Sequence, residues 1–201
     1  MDRVQSYNTN QNKNRFDKPK RRKRVNVDRN TEVVIINNTF GRFIYKNPRM
    51  NMVLDMENHG DEEYITVGDL RTMLNSDRKI LEGFDILITE VLDGQYELED
   101  VLTYLGLNRK YDNYFSLSPK WKKGQVNRDD IIQFIEKSNP RKFEQLMNSM
   151  DSKLRGKVID TAIKLFKLRK FTDYTKMEVI EKYVGEDTFD DAKDTLIDLE
   201  I

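Results

Sequence analysis

Residues 32–45 read Glu32-Val33-Val34-Ile35-Ile36-Asn37-Asn38-Thr39-Phe40-Gly41-Arg42-Phe43-Ile44-Tyr45. The fold class is decided here. A continuous β-branched run predicts a strand over 33–36, the segment from Asn37 to Gly41 carries turn chemistry, and Phe43, Ile44 and Tyr45 resume the strand signal. The simplest expectation is a β-hairpin joining 33–36 to 43–45. Downstream, Met50, Met52, Leu54 and Met56 alternate with Asn51, Val53 and Asp55, and Glu63-Tyr64-Ile65-Thr66-Val67 follows a turn at residues 58–61. Two further antiparallel strands are expected from this period of two.

Thr66 with Asp69 three residues later gives a capping-box-like start to a helix over 67–75, where Val67, Leu70, Met73 and Leu74 share one face. A short helical turn carrying Ile80 and Leu81 ends at Gly83, a fifth strand is expected over 84–89, and Leu98, Val101, Leu102 and Leu105 predict a helix closed by Gly106. Residues 31–108 therefore read as a small α+β domain with a mostly antiparallel sheet. Residues 109–125 lose the periodicity and read as a linker rich in cations and aromatics. From residue 126 to 201 the pattern is helical, with a cap expected at Asn127, a stop and restart at Ser138-Asn139-Pro140, further starts at Asp151 or Ser152 and at Thr172 or Asp173, a stop at Gly185, and a fifth segment bearing Phe189, Ala192, Leu196 and Ile197. The expected fold class is thus α+β: the small antiparallel domain followed by a compact all-α domain, preceded by a disordered basic N-terminal arm at residues 1–30.

That arm follows from composition. Residues 1–30 hold ten Lys/Arg against Asp2, Asp17 and Asp28, and their few apolar side chains recur at no period, so they cannot bury enough surface to offset the entropy of ordering. Residues 172–201 hold ten Asp/Glu against Lys176, Lys182 and Lys193, so the formal net charge of zero averages two opposed ends. The chain has 201 residues, 37% hydrophobic and 35% charged. Zero cysteine removes disulfides and thiolate metal sites, and with His59 the one histidine a multi-histidine zinc site is also excluded. No run approaches the length of a membrane span, and the polar N-terminus lacks the apolar stretch of a signal peptide.

Two clusters are candidates for contact with a partner. Lys18, Lys20, Arg21, Arg22, Lys23 and Arg24 crowd into seven residues around Pro19. Such a run can neutralise phosphates, can serve as a nuclear import signal, or can act as an assembly arm that orders against an acidic neighbour. The assembly reading is preferred because the chain carries an acidic counterpart of its own. In the linker, Arg109, Lys110, Lys122 and Lys123 alternate with Tyr111, Tyr114, Phe115 and Trp121. Aromatics and cations so mixed can stack on the bases of a single strand or anchor a protein interface. In the simplest case they plug the seam between two domains.

Other features argue against chemistry. The helix pair at 152–184 would present Lys176, Glu178, Glu181 and Lys182, too mixed in sign for a recognition helix. His59, beside Asp61, Glu62 and Glu63, reads as a solvated turn residue. Asp187, Asp190, Asp191 and Asp194 lack the spacing of a calcium loop. No Gly-rich phosphate loop or nucleophile elbow is present. No cofactor and no small-molecule substrate is expected.

The stretch from Val34 to Tyr45, with Gly60-Asp61-Glu62-Glu63-Tyr64-Ile65-Thr66-Val67-Gly68-Asp69-Leu70 and Leu102-Thr103-Tyr104-Leu105-Gly106-Leu107, resembles small proteins encoded among the structural genes of large tailed bacteriophages. So does Ala162-Ile163-Lys164-Leu165-Phe166-Lys167 followed by Phe171-Thr172-Asp173-Tyr174-Thr175-Lys176-Met177. The resemblance implies a virion component and assigns no active residues. It does not distinguish capsid, neck, tail or baseplate. The expectation is a non-enzymatic structural protein of the virion, made in the host cytoplasm, that contacts other virion proteins and copies of itself. The alternative is a nucleic-acid-binding accessory or regulatory protein that uses the arm and residues 109–123.

Overall fold

Five successive buried residues follow Glu32 in strand β1 (Glu32–Asn37), and a strand buried on both faces needs a neighbour on each side and cover above and below. β1 obtains both. In the computed structural model, which describes residues 25–48, 51–117, 125–185 and 188–189, β1 is the centre of a three-stranded antiparallel sheet. On one side lies β4 (Glu62–Thr66), with Val34 opposite Tyr64, and on the other β5 (Ile86–Val91), with Val34 opposite Glu90. The β5 register shifts between Val34 and Ile35, so Thr89 bulges, and its hydroxyl donates to the Val34 carbonyl at 3.3 Å.

The expected hairpin between 33–36 and 43–45 does not form. β2 (Phe43–Asn47) pairs instead with β3 (Met52–Met56) as a separate two-stranded ribbon. The cause is the pair Asn37-Asn38, both buried. Asn37 Oδ1 accepts from the Thr39 amide at 2.9 Å and the Thr39 hydroxyl at 2.7 Å, while Nδ2 donates to the Gly41 carbonyl at 2.8 Å and the Asn58 carbonyl at 2.9 Å. Asn38 Nδ2 donates to the Phe84 carbonyl at 2.8 Å. The turn chemistry of Asn37 to Gly41 is present, but it steers the chain out of the sheet rather than back along β1. Strands with polar alternate positions can be half exposed and suit an outlying ribbon; the wholly apolar run cannot.

Helix α1 (Val67–Ser76) starts where the sequence predicts, with Thr66 Oγ1 accepting from the Asp69 amide at 3.1 Å. A short α2 (Arg78–Glu82) leads to Phe84, which takes a left-handed φ of 61° and so shortens the fifth strand, expected from residue 84, to start at Ile86. α3 (Leu98–Leu105) closes on Gly106 at φ 75°, a conformation favouring glycine. The predicted linker is not one: its first seven residues belong to helix α4 (Asn108–Phe115), and Tyr111 and Tyr114 are fully buried. The remaining helices are α5 (Asp130–Lys137), α6 (Pro140–Ser149), α7 (Ser152–Lys167) and α8 (Tyr174–Val184). Asn139, Asp151 and Asp173 cap the last three as their side-chain chemistry dictates. The fifth helical segment lies outside the described residues, apart from Thr188 and Phe189. The Phe189 ring meets Phe166 edge-on at 5.0 Å.

The architecture is α+β. One hydrophobic cluster runs from Val27 through the sheet and α4 to α8, so the core does not divide at 109–125. The boundary of the expected arm also moves. Residues 1–24 lie outside the described residues, but Val27 is in the core, and the Gly68 amide donates to the Arg29 carbonyl at 2.8 Å. A Cβ on Gly68 would meet that carbonyl at 3.0 Å, so this close approach favours glycine. Val25 and Val27 are anchors that the charge of the arm concealed.

Asn37→Ala leaves several part-buried backbone groups without partners at once, and the expected loss is about 2–4 kcal/mol of unfolding free energy in urea titration. An unchanged midpoint would show that the junction is dispensable.

Candidate protein-docking surface

The sequence candidates disperse when placed in the structure. Lys18, Lys20, Arg21, Arg22, Lys23 and Arg24, like Trp121, Lys122 and Lys123, lie outside the described residues. On α4 the candidates face different ways. Tyr111 and Tyr114 turn into the core, where their rings lie 6.0 and 5.4 Å from Phe84, and the Tyr111 hydroxyl accepts from the Ile88 amide at 2.8 Å. Burial pushes both phenols well above their ordinary range. Phe115 is half buried and meets Tyr111 edge-on at 6.0 Å. Arg109 is exposed, and Lys110 reaches Asp151 Oδ2 at 3.3 Å. The two tyrosines are therefore not available to stack on bases, because the apolar spacing of Leu107, Tyr111 and Tyr114 makes them one helix face.

Cations of α7 bind this end of the molecule together. Lys153 Nζ lies 2.8 Å from Glu82 Oε2 and Lys157 Nζ 2.9 Å from Asp85 Oδ1. The Lys153 hydrogen bond holds the Glu82 carboxyl below its usual range. His59 is not a free turn residue: it stacks on Phe40 at 4.8 Å, and its Nε2 lies 3.0 Å from the Arg128 carbonyl. Burial lowers its pKa, so the neutral ring donates to that carbonyl.

Two buried charged residues were not singled out from the sequence. Lys176 was expected on a solvent face, yet its ammonium donates to the Ile135 carbonyl at 2.7 Å and pairs with Asp173 at 3.3 Å, closing the C-terminal end of α5. The signal was its spacing of four from Ile180 on the buried face of α8. Asp130 at the start of α5 is buried, accepts from the Asn127 amide at 2.7 Å, and faces the Tyr114 hydroxyl. Desolvation pushes its carboxyl up to about 6 against hydrogen bonds from the Asn127 backbone, the Asn127 side chain and Tyr114.

What the fold leaves open is the outside of the β structure. Ile44, Val53 and Tyr64 are 50, 61 and 64% exposed. Ile44 and Val53 are diagonal neighbours on the outer face of the ribbon, since Ile44 is opposite Asp55 and Val53 opposite Lys46. The ribbon's other face buries Tyr45, Leu54 and Met56. Arg42 grips Asp55 beside this patch at 2.6 and 2.5 Å, a bidentate pair that holds Asp55 below its usual range. Tyr64 stands on β4, at one edge of the three-stranded sheet. Large side chains held out on rigid strands, rimmed by charge, have the makings of a protein-binding patch. No helix among the described residues is long and apolar enough to cross a membrane. Comparison with protein-family models, curated proteins and solved structures finds no match to this chain.

The folded chain keeps a proton on Asp130 up to about pH 6, whereas the unfolded chain releases it near 3.8. The contribution of this group to stability is therefore fully present below 3.8 and is lost as pH rises through 6. Asp130→Asn keeps an acceptor for Asn127 and removes the titration. Its melting temperature relative to wild type should rise between pH 4 and pH 7; a difference independent of pH would contradict the buried carboxyl.

Proposed function

We propose that this chain is a non-enzymatic structural component of a tailed-bacteriophage virion, in the capsid, neck, tail or baseplate. Its folded body makes subunit contacts and its basic N-terminal segment extends onto neighbours. The observation that carries the reading is the solvent-facing trio Ile44, Val53 and Tyr64 on three strands of a well-packed body. A monomer gains nothing from holding such side chains in water, whereas an interface removes each from water at roughly 1.5–3 kcal/mol. The resemblance of residues 34–45, 60–70, 102–107, 162–167 and 171–177 to phage structural proteins supports the same reading. Tyr111 and Tyr114, the aromatics best placed in sequence to stack on bases, are committed to the core, and this weakens the case for a nucleic-acid accessory protein acting through residues 109–123.

Ile44→Asp with Val53→Asp places two charges on an exposed face and should leave the melting temperature within a few degrees of wild type. The doubly substituted chain should be depleted at least tenfold from purified particles, as counted by quantitative mass spectrometry against the wild-type chain. Incorporation at the wild-type level would remove this face from the assembly, and absence of the wild-type chain from particles would remove the virion role itself.

A further inference from the structure

The open half of the three-stranded sheet has a chemistry of its own. Residues opposite one another in neighbouring strands share a face, so Tyr64, Val34 and Glu90 form one row across β4, β1 and β5, and Glu62, Ile36 and Leu87 form the next. Ile36 and Leu87 are buried, while Tyr64 and Glu90 are exposed. Along the boundary between covered and open sheet runs a cleft of about 410 Å³, walled on its far side by residues 126–129 and Gln133. Its carboxylates are Glu62, Glu90 and Asp129. Among the described residues Arg128 is the one cation lining it, and its side chain lies 3.7 Å from Asp129. The cleft is therefore an acidic trough with an apolar floor at Val34 and Ile36, and the exposed Tyr64 stands opposite Val34 on the neighbouring strand.

The geometry points to this trough as the docking site of residues 18–24 of the chain itself. Six cations in those seven residues are opposite in sign to the trough, and the exposed ring of Tyr64 offers a face to an arginine or lysine. A phosphate backbone is repelled by the same three carboxylates, so the trough favours a basic peptide over nucleic acid. The occupant is also at hand: the segment ends one residue before Val25, where the described body begins, and Val27 is anchored in the core. The inference rests on reading this side of the molecule as a protein-docking surface, and it names the partner as a copy of this chain's own basic segment.

The test is zero-length carbodiimide cross-linking of the full chain, using an equal mixture of normal and ¹⁵N-labelled protein and peptide mass spectrometry. Lys18, Lys20 or Lys23 should join Glu62 or Glu90, and the isotope pattern states whether the segment comes from the same copy or a neighbour; either supports the assignment. Arg21→Glu with Arg22→Glu leaves every lysine and target carboxylate in place, and should lower the yield of those products more than tenfold. The assignment is overturned if the lysines join only the acidic segment 186–200. It is equally overturned if no product forms, whether or not the segment shifts duplex DNA in a parallel gel assay, or if the double substitution leaves the yield unchanged. Failure here, with the Ile44 and Val53 substitutions still excluding the chain from particles, would leave the assembly reading intact without the arm.

Discussion

β1 cannot be solvated on either face, and most of the architecture answers that requirement. Five buried residues in a row remove the usual division of a strand into a wet and a dry side. β4 and β5 saturate its hydrogen bonds, the Ile35 side of the sheet joins the same cluster as the α1 and α3 side chains, and residues 126–133 come alongside Val34 and Ile36 on the other side. The apolar core continues past residues 109–125 for the same reason. A small antiparallel sheet with one apolar face could fold apart from the helices, but a sheet centred on β1 recruits them.

The recruitment is visible in particular contacts. The Tyr111 hydroxyl satisfies the Ile88 amide on β5, blocking part of an edge that would otherwise offer unpaired backbone. Lys153 and Lys157 of α7 reach Glu82 and Asp85 between α2 and β5. Partly exposed pairs of this kind contribute little each; the shared aromatic packing of Phe84, Tyr111 and Tyr114 contributes more, and the ion pairs set the position of α7 upon it. Phe84 holds a left-handed backbone conformation that costs on the order of 1–3 kcal/mol, and complete burial of its ring offsets that strain.

Local signals were legible in the sequence, and long-range ones were not. Thr66 caps its helix as expected, Asn139 caps the helix that Pro140 opens, Asp151 and Asp173 rather than Ser152 and Thr172 cap theirs, and Gly106 and Gly185 end theirs, because each of these interactions closes within four residues. Asn127, expected as a cap, is not one, since α5 starts at Asp130. Strand pairing does not close locally. Nothing between residues 33 and 45 distinguishes a hairpin from a chain that leaves the sheet, since the deciding partners of Asn37 and Asn38 are at Asn58 and Phe84. Lys176 and Asp130 escaped for the same reason: a charged residue is read as exposed until the carbonyls that accept from it, or the amides that donate to it, are known. The exposed patch, too, was hidden, because Ile44 looks like a core residue and Val53 stands alone between Asn51 and Asp55 until β2 is paired with β3 and one face of the ribbon is seen to carry both.

These contacts describe one body, and the functional reading depends on that unity. If the helical part came apart from the sheet, the wall of the acidic trough would leave with it. Native-state hydrogen exchange, followed amide by amide in increasing urea, tests this most directly. The account predicts that Val33–Ile36 in β1, the central amides of α4 and those of α7 merge into one isotherm at the free energy of global unfolding. Exchange of α5 to α8 through a separate opening, several kcal/mol below that of β1, would contradict it.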